Sequence, residues 1–232
     1  MTPDESDWPR RGVVAEGAPA TVSRDRLGTI STVLALLIAI TVTSFALRLV
    51  IDVPNLVAGT VPEDAYDRRF VEHPWLAYLH IVPGVVYLLG APVQLSRQFR
   101  TRHYDVHRRL GRVLLTFALL SGVFAIAFGL PFAFGGSPTA AATLVFGVWF
   151  LACLVLAFRS IRRDDVAQHR RWMIRAFAIA VGVGTIRIWI GVFQATQLLT
   201  YEDSFAVAFW LAFVLHAAAA EWWLRRTPAL TG

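Results

Sequence analysis

The chain is 232 residues long, 56% hydrophobic and only 16% charged, where an ordinary soluble domain carries about 25% charged residues, and its mean hydropathy is +0.55. These values exclude a soluble globule, and six apolar runs long enough to cross a bilayer leave no room for a second, soluble catalytic domain. The net charge of +6 reads as membrane orientation rather than a nucleic-acid patch, because the arginines flank the apolar runs. Cys153 is the one cysteine, so an intramolecular disulfide is excluded, and its place inside an apolar run suits a small buried hydrophobe. All 22 basic residues are arginine, a usage that together with abundant Ala and Val suits a high-GC bacterium.

In chain order, residues 1–26 mix acids and arginines with Pro, Gly and Ala and are expected to form a disordered cytoplasmic tail. They are not expected to be a cleavable signal, since acids dominate the start and the following run is too long. Membrane helices are predicted at about 27–51, 75–96, 113–134, 140–158, 172–199 and 204–224. The stretch from Asp52 to Pro74, with Pro54, Pro62 and five acids, is expected to be the one sizeable loop. Gly135-Gly136-Ser137-Pro138 and Tyr201-Glu202-Asp203-Ser204 turn the chain between later helices. Eighteen arginines lie beside the helix ends on one side, in the tail, at 97–112, at 159–175 and at Arg225 and Arg226, against Arg68 and Arg69 on the other. The expected fold is all-α and polytopic, with six transmembrane helices over 27–226, N-in/C-in, and a short cytoplasmic tail at 227–232. The expected location is a bacterial cytoplasmic membrane, crossed several times.

The two basic loops resemble each other. Phe99-Arg100-Thr101, Asp105-Val106 and His107-Arg108-Arg109 parallel Phe158-Arg159-Ser160, Asp165-Val166 and His169-Arg170-Arg171. A parallel repeat relating helices two and three to four and five is one reading; shared Arg and aromatic content of short basic loops is the other.

Polarity at membrane depth is concentrated on three helices. His80, Gly84, Tyr87, Ala91 and Gln94 share one face of helix two, where Pro83 and Pro92 predict a kink beside a cavity or a tight contact. Gly184, Arg187, Gly191 and Gln194 repeat the pattern on helix five, with Arg187 roughly 20 Å from either end of the predicted helix. His216 lies about 18 Å from the outer end of helix six, among alanines that permit close approach. A guanidinium keeps its proton and must find an anion, carbonyls or water. No carboxylate is expected near the depth of Arg187, with Glu221 the closest candidate. One reading gives Arg187 an acidic ligand group, such as a haem propionate, lipid phosphate or fatty-acid carboxylate, held bidentately. The other caps it with Gln94, Gln194, Tyr87 and backbone carbonyls.

Six histidines raise the question of haem or metal. A b-type haem needs two His at similar depth on facing helices. His80 and His216 are the pair within the hydrocarbon, at unequal depths of about 8 and 18 Å; His107 and His169 match by the repeat but lie near the headgroups. His103 and His107 with His169 are a weak Zn or Cu set, because no Cys and no carboxylate beyond Asp105 joins them, so a solvated basic loop is the plainer reading. Arg108, Arg109, Arg170 and Arg171, near helix starts, suit anionic headgroups. Ser121 stands in its helix without an acid at its depth, against a Ser-His-Asp hydrolase, and no strand precedes Gly182-Val183-Gly184, against a nucleotide fingerprint.

The series His80, Gly84, Gly90-Ala91-Pro92-Val93-Gln94, then His107-Arg108-Arg109-Leu110-Gly111-Arg112, then His169-Arg170-Arg171-Trp172-Met173-Ile174-Arg175 with Arg187 resembles the domain-of-unknown-function family 2306, over about residues 75–190. The resemblance implies an integral membrane protein in which His80, Gln94, His107, His169 and Arg187 occupy motif positions. It implies no activity, and His216 falls outside it. The first functional expectation is an intramembrane polar chamber that binds an acidic amphiphile or cofactor, with b-type haem or a quinone-associated lipid among the candidates and a redox link left open. Its ligand-binding residues are Arg187, His80, Tyr87, Gln94 and Gln194. A small transporter or a structural and assembly partner are the alternatives. Membrane lipids are the expected partners; a homo-oligomer or a membrane redox partner stays open.

Overall fold

A computed structural model describes residues 24–227, and most of the two expected tails lies outside that range. The described residues are all-helical: α1 (Arg24–Ala58), α2 (Ala65–Glu72), α3 (Pro74–Leu95), α4 (Arg97–Arg102), α5 (Tyr104–Gly129), α6 (Gly136–Arg162), α7 (Val166–Thr196) and α8 (Tyr201–Arg226). Six of them, all but α2 and α4, are long and apolar enough to cross a membrane.

The helices outrun the apolar runs. α5 begins at Tyr104 and α7 at Val166, so the basic segments around His107 and His169 are helical rather than loop. Arginine is a good helix former, and Asp165 caps α7 by accepting a hydrogen bond from the Gln168 amide at 2.9 Å. The expected 52–74 loop is mostly helix as well. α1 runs on to Ala58 with Pro54 inside it, and after a short link the chain forms α2, capped by the Asp64 carboxylate on the Asp67 amide at 3.0 Å. α3 is continuous through Pro83 and Pro92.

Helices α3, α5, α6 and α7 form a ring in which sequence neighbours pack antiparallel and α7 returns to α3. Across the ring, α3 with α6 and α5 with α7 make no extended contact. Along the α3–α5 seam Gly84 lies opposite Ser121, Gly90 opposite Leu114, and Gly111 opposite Gln94. α8 packs on α7 and α6, and α1 leans on α7 from outside. One end of the bundle collects the arginines of α4, α5 and the α6–α7 connection; the opposite end is roofed by α2. There an aromatic cluster of Tyr66, Phe70, Phe128, Phe134, Tyr201 and Phe205 is linked by edge and tilted ring contacts of 4.9 to 6.0 Å.

α1 approaches α7 closely at Gly184. A Cβ on Gly184 would run into the Leu37 carbonyl oxygen of α1, a backbone atom that cannot rotate away. Gly184→Ala is therefore expected to lower stability by about 1–3 kcal/mol, the usual range for overpacking. Thermal unfolding in detergent checks this, with Gly191→Ala, which meets nothing within 4 Å, as the control.

Candidate functional site

The roofed end gathers the charges of three helices, α1, α2 and α7, and a tyrosine of α3. On α1, Arg48 and Asp52 are four residues apart and both buried; Arg48 Nη2 lies 2.7 Å from Asp52 Oδ1, an ion pair without hydrogen-bond alignment, while Nη1 donates to Asp67 Oδ1 of α2 at 2.6 Å. Tyr78 of α3 donates to the other Asp52 oxygen at 2.8 Å. Arg69 of α2 donates to the backbone carbonyls of Phe132 and Tyr66 at 2.9 and 3.3 Å and lies over the rings of Tyr66 and Phe70 at 4.6 and 4.8 Å. Arg187 of α7 reaches into the same cluster and donates from Nη1 to the Tyr66 hydroxyl at 3.0 Å.

That contact is the one hydrogen bond of Arg187 among the described residues, and its Nε is buried without a partner. No carboxylate pairs with it; Asp52 and Asp67 both serve Arg48. The cluster thus holds three guanidiniums against two carboxylates. Burial by itself would raise the Tyr66 phenol, but the charges of Arg187, Arg69 and Arg48 and the hydrogen bond from Arg187 outweigh it and hold the hydroxyl below the usual tyrosine range.

The residues expected from sequence divide between the two ends. Arg187 is nearer the roofed end than its predicted mid-helix place: α7 starts at Val166, so Arg187 lies about 14 Å from the Thr196 end and about 31 Å from the other. His80 belongs to the same half, close enough to feel the Arg187 charge. Its Nδ1 lies 3.0 Å from the Ser121 carbonyl oxygen, which fixes Nδ1 as the donor and leaves Nε2 as the uncommitted nitrogen, while the Ser121 hydroxyl donates to the His80 carbonyl at 2.7 Å. Ser121 thus braces His80.

The expected amide and phenol cap on Arg187 is not assembled. Tyr87 packs edge-on against Phe150 with its hydroxyl unpartnered, Gln94 is buried against Gly111 near the arginine-rich end, and exposed Gln194 donates to the Leu199 carbonyl at 3.5 Å. His80 and His216 are not brought together, because His80 sits on the α3–α5 seam and His216 on the α7–α8 seam, 2.8 Å from the Thr185 hydroxyl. Glu221 pairs with Arg175, from whose Nε and Nη2 it accepts at 2.5 and 3.0 Å. His107 and His169 do come within each other's electrostatic range, at the arginine-rich end. Arg108, Arg109, Arg170 and Arg171 stay at that end's rim, where Arg108 lies 5.8 Å over the Tyr104 ring. Among the described residues no three His, Cys, Asp or Glu side chains group as a metal site, so His103 does not complete a set. A groove of about 310 Å³ between α6 and α8, lined by Phe146, Trp149, Val214 and Ala217, runs over the Arg175–Glu221 pair. Its charges are already matched.

Arg48, Asp52, Asp67, Arg69 and Tyr66 are not among the site residues expected from the sequence. The i, i+4 spacing of Arg48 and Asp52 was an available signal. Tyr66 carried none, since its partner is 121 residues away.

The chain belongs to the family described as "Predicted membrane protein (DUF2306)", which matches residues 77–224. No curated protein and no solved structure matches it. The matched span holds His80, Gln94, His107, His169 and Arg187 but not the α1 and α2 residues of the roof.

Two outcomes test the cluster. Arg48→Gln strands buried Asp52 and is expected to cost about 3–5 kcal/mol, with Arg48→Gln/Asp52→Asn recovering much of it; thermal unfolding reads both. A depressed Tyr66 hydroxyl contributes stability above the unfolded tyrosine range that is lost as pH falls through the folded value. Tyr66→Phe is expected to flatten the rise in stability across that window, and ultraviolet titration should lose one early-ionising tyrosine.

Proposed function

We propose that this membrane protein binds the oxyanion headgroup of an amphiphile, a lipid phosphate or a fatty-acid carboxylate, at its roofed end, with Arg187 as the clamp. One observation carries the reading. Arg48 and Arg175 each have a carboxylate, whereas Arg187 meets only a phenol and keeps its Nε and Nη2 without hydrogen bonds. Those two donors form the edge through which a guanidinium grips an oxyanion with two parallel hydrogen bonds, and in Arg175 the same edge holds Glu221. The excess positive charge of the cluster favours an anion further, in surroundings where it is weakly screened.

Each neighbour then has a task. Tyr66 holds the Nη1 side of Arg187 and so orients the free edge outward from the phenol. Arg69 adds charge while its Nε and Nη1 donate to backbone carbonyls. His80, braced by Ser121, offers Nε2 as an acceptor for a ligand hydroxyl. The aromatic cluster under α2 gives the acyl portion an apolar wall.

Native mass spectrometry of the protein extracted in mild detergent tests the proposal. The wild type is expected to retain an anionic amphiphile whose mass tells phosphate from carboxylate, Arg187→Lys to retain less of it, and Arg187→Gln to lose it. Equal retention by wild type and Arg187→Gln would overturn the reading.

A further inference from the structure

The Nε of Arg187 is fully buried, so a headgroup reaches it only when a covering element moves. Tyr66 sets α2 against that guanidinium, and α2 is fastened lightly. Its main chain comes near α1 and α3. Three polar contacts tie it to the bundle: Asp67 to Arg48 at 2.6 Å, Arg69 to the Phe132 carbonyl at 2.9 Å and Tyr66 to Arg187 at 3.0 Å. Tyr66 and Phe70 add ring contacts to Phe128, Phe134, Tyr201 and Phe205. Within the segment, Arg68 donates to the carbonyls of Pro62 and Glu63 at 3.2 and 2.9 Å, and Asp64 caps the helix, so residues 62–72 hold together as one body. Each end of that body has a pivot. Gly59 lies at φ +67°, where a Cβ would meet nothing within 4 Å, and His73 breaks the helical path between α2 and α3 at φ −126°, ψ 54°.

Charge decides whether the body can leave. Asp67 and Arg69 would carry their charges out to water. Arg48 would stay behind, but buried Asp52 of its own helix lies 2.7 Å away and keeps the hydrogen bond from Tyr78, so departure strands no charge there. Arg187 alone would lose its partner, and it is the group that the entering oxyanion neutralises. Glu63, Asp64, Arg68 and Glu72 are exposed already, while Tyr66 and Phe70 on the inner side suit the membrane interface. We infer that α2 is the lid of the anion site, an inference that rests on the reading of Arg187 above. The lid pivots about Gly59 and His73, admits the headgroup, and closes with the Asp67–Arg48 contact as its latch. Closure returns Tyr66 and Arg69 to the site. Those groups meet the ligand's surroundings only in the closed state, so a bound headgroup favours closure, and the aromatic cluster then shuts out water.

Hydrogen–deuterium exchange of the full chain in a non-ionic detergent tests the opening, with dodecyl phosphate and laurate as probes. Residues 60–73 are expected to exchange as one unit, about tenfold or more faster than α3 and α7. Asp67→Asn is expected to speed that exchange about tenfold further while α3 and α7 keep their protection, since Arg48 retains Asp52. A probe that binds is expected to slow the exchange of 60–73 in the wild type and not in Arg187→Gln. Rapid filtration with labelled probe supplies the readout that a merely structural α2 would not move. In Asp67→Asn both entry and release are expected to quicken about tenfold, with Kd changed by less than about threefold. Should Asp67→Asn not fold, Phe70→Ala, which loosens the ring contacts of α2 instead, carries the same expectations. Exchange of 60–73 only together with α3 and α7 would overturn the lid. So would binding of either probe with entry and release rates indifferent to both variants, although the anion reading would then stand. Failure of both probes to bind would overturn the anion reading and the lid together.

Discussion

A guanidinium inside a helical membrane bundle keeps its charge, and the surroundings must supply what water no longer does. This protein meets that demand in four ways. Arg48 is bracketed by two carboxylates, Arg175 is gripped by one, and Arg69 is spent on backbone carbonyls and aromatic faces. Arg187 has only the hydroxyl of Tyr66. The placement of α2 follows from the same demand. Its Asp67 completes Arg48, its Tyr66 meets Arg187, and its Arg69 binds the α5–α6 connection at Phe132, so one short helix ties α1, α5 and α7 through polar contacts and closes their end with rings. An amphipathic segment of eight residues would not hold a helix alone in water. Here tertiary contacts hold it.

The ring of α3, α5, α6 and α7 gives the chain two polar ends separated by a packed middle. Near the centre Tyr87 meets Phe150, Cys153 is fully buried, and alanines line the interior. The family-matched residues divide accordingly, His80 and Arg187 toward α2, Gln94, His107 and His169 toward the arginines. In the sequence they form one series. In space they are two groups with different chemistry, the first rich in charge and hydrogen-bond donors, the second in imidazole and amide atoms without partners.

The membrane spans were legible because they depend on local, additive properties. Some twenty apolar residues in a row reveal a span whatever they later touch, and all six runs correspond to long helices. Helix ends were less legible. Hydropathy registers the part of a helix that lies in hydrocarbon, whereas α5 and α7 continue through arginines that favour helix equally well outside it. The stretch from Asp52 to Pro74 reads as a loop by its acids and prolines. Yet Asp52 is the buried partner of Arg48 on a helix that has not ended, and Asp64 is a cap. Acidic residues signalled solvent there, and two of them, Asp52 and Asp67, serve instead as counter-ions for Arg48.

The residues of the candidate sites were partly visible for a related reason. Arg187 and His80 stand out on apolar helices because polar atoms there are costly, so their presence alone raises a question. The answer lies in partners that no periodicity reveals. By itself the sequence determined that this is a six-span, all-helical membrane protein with a guanidinium lacking a nearby acid on its own helix. Only the tertiary structure decided that Tyr66 meets that guanidinium, that Glu221 belongs to Arg175, and that Gln94 lies near His107 rather than Arg187. Partition into lipid is summed residue by residue along a segment, whereas a hydrogen bond across 121 residues exists only after the helices have chosen their neighbours.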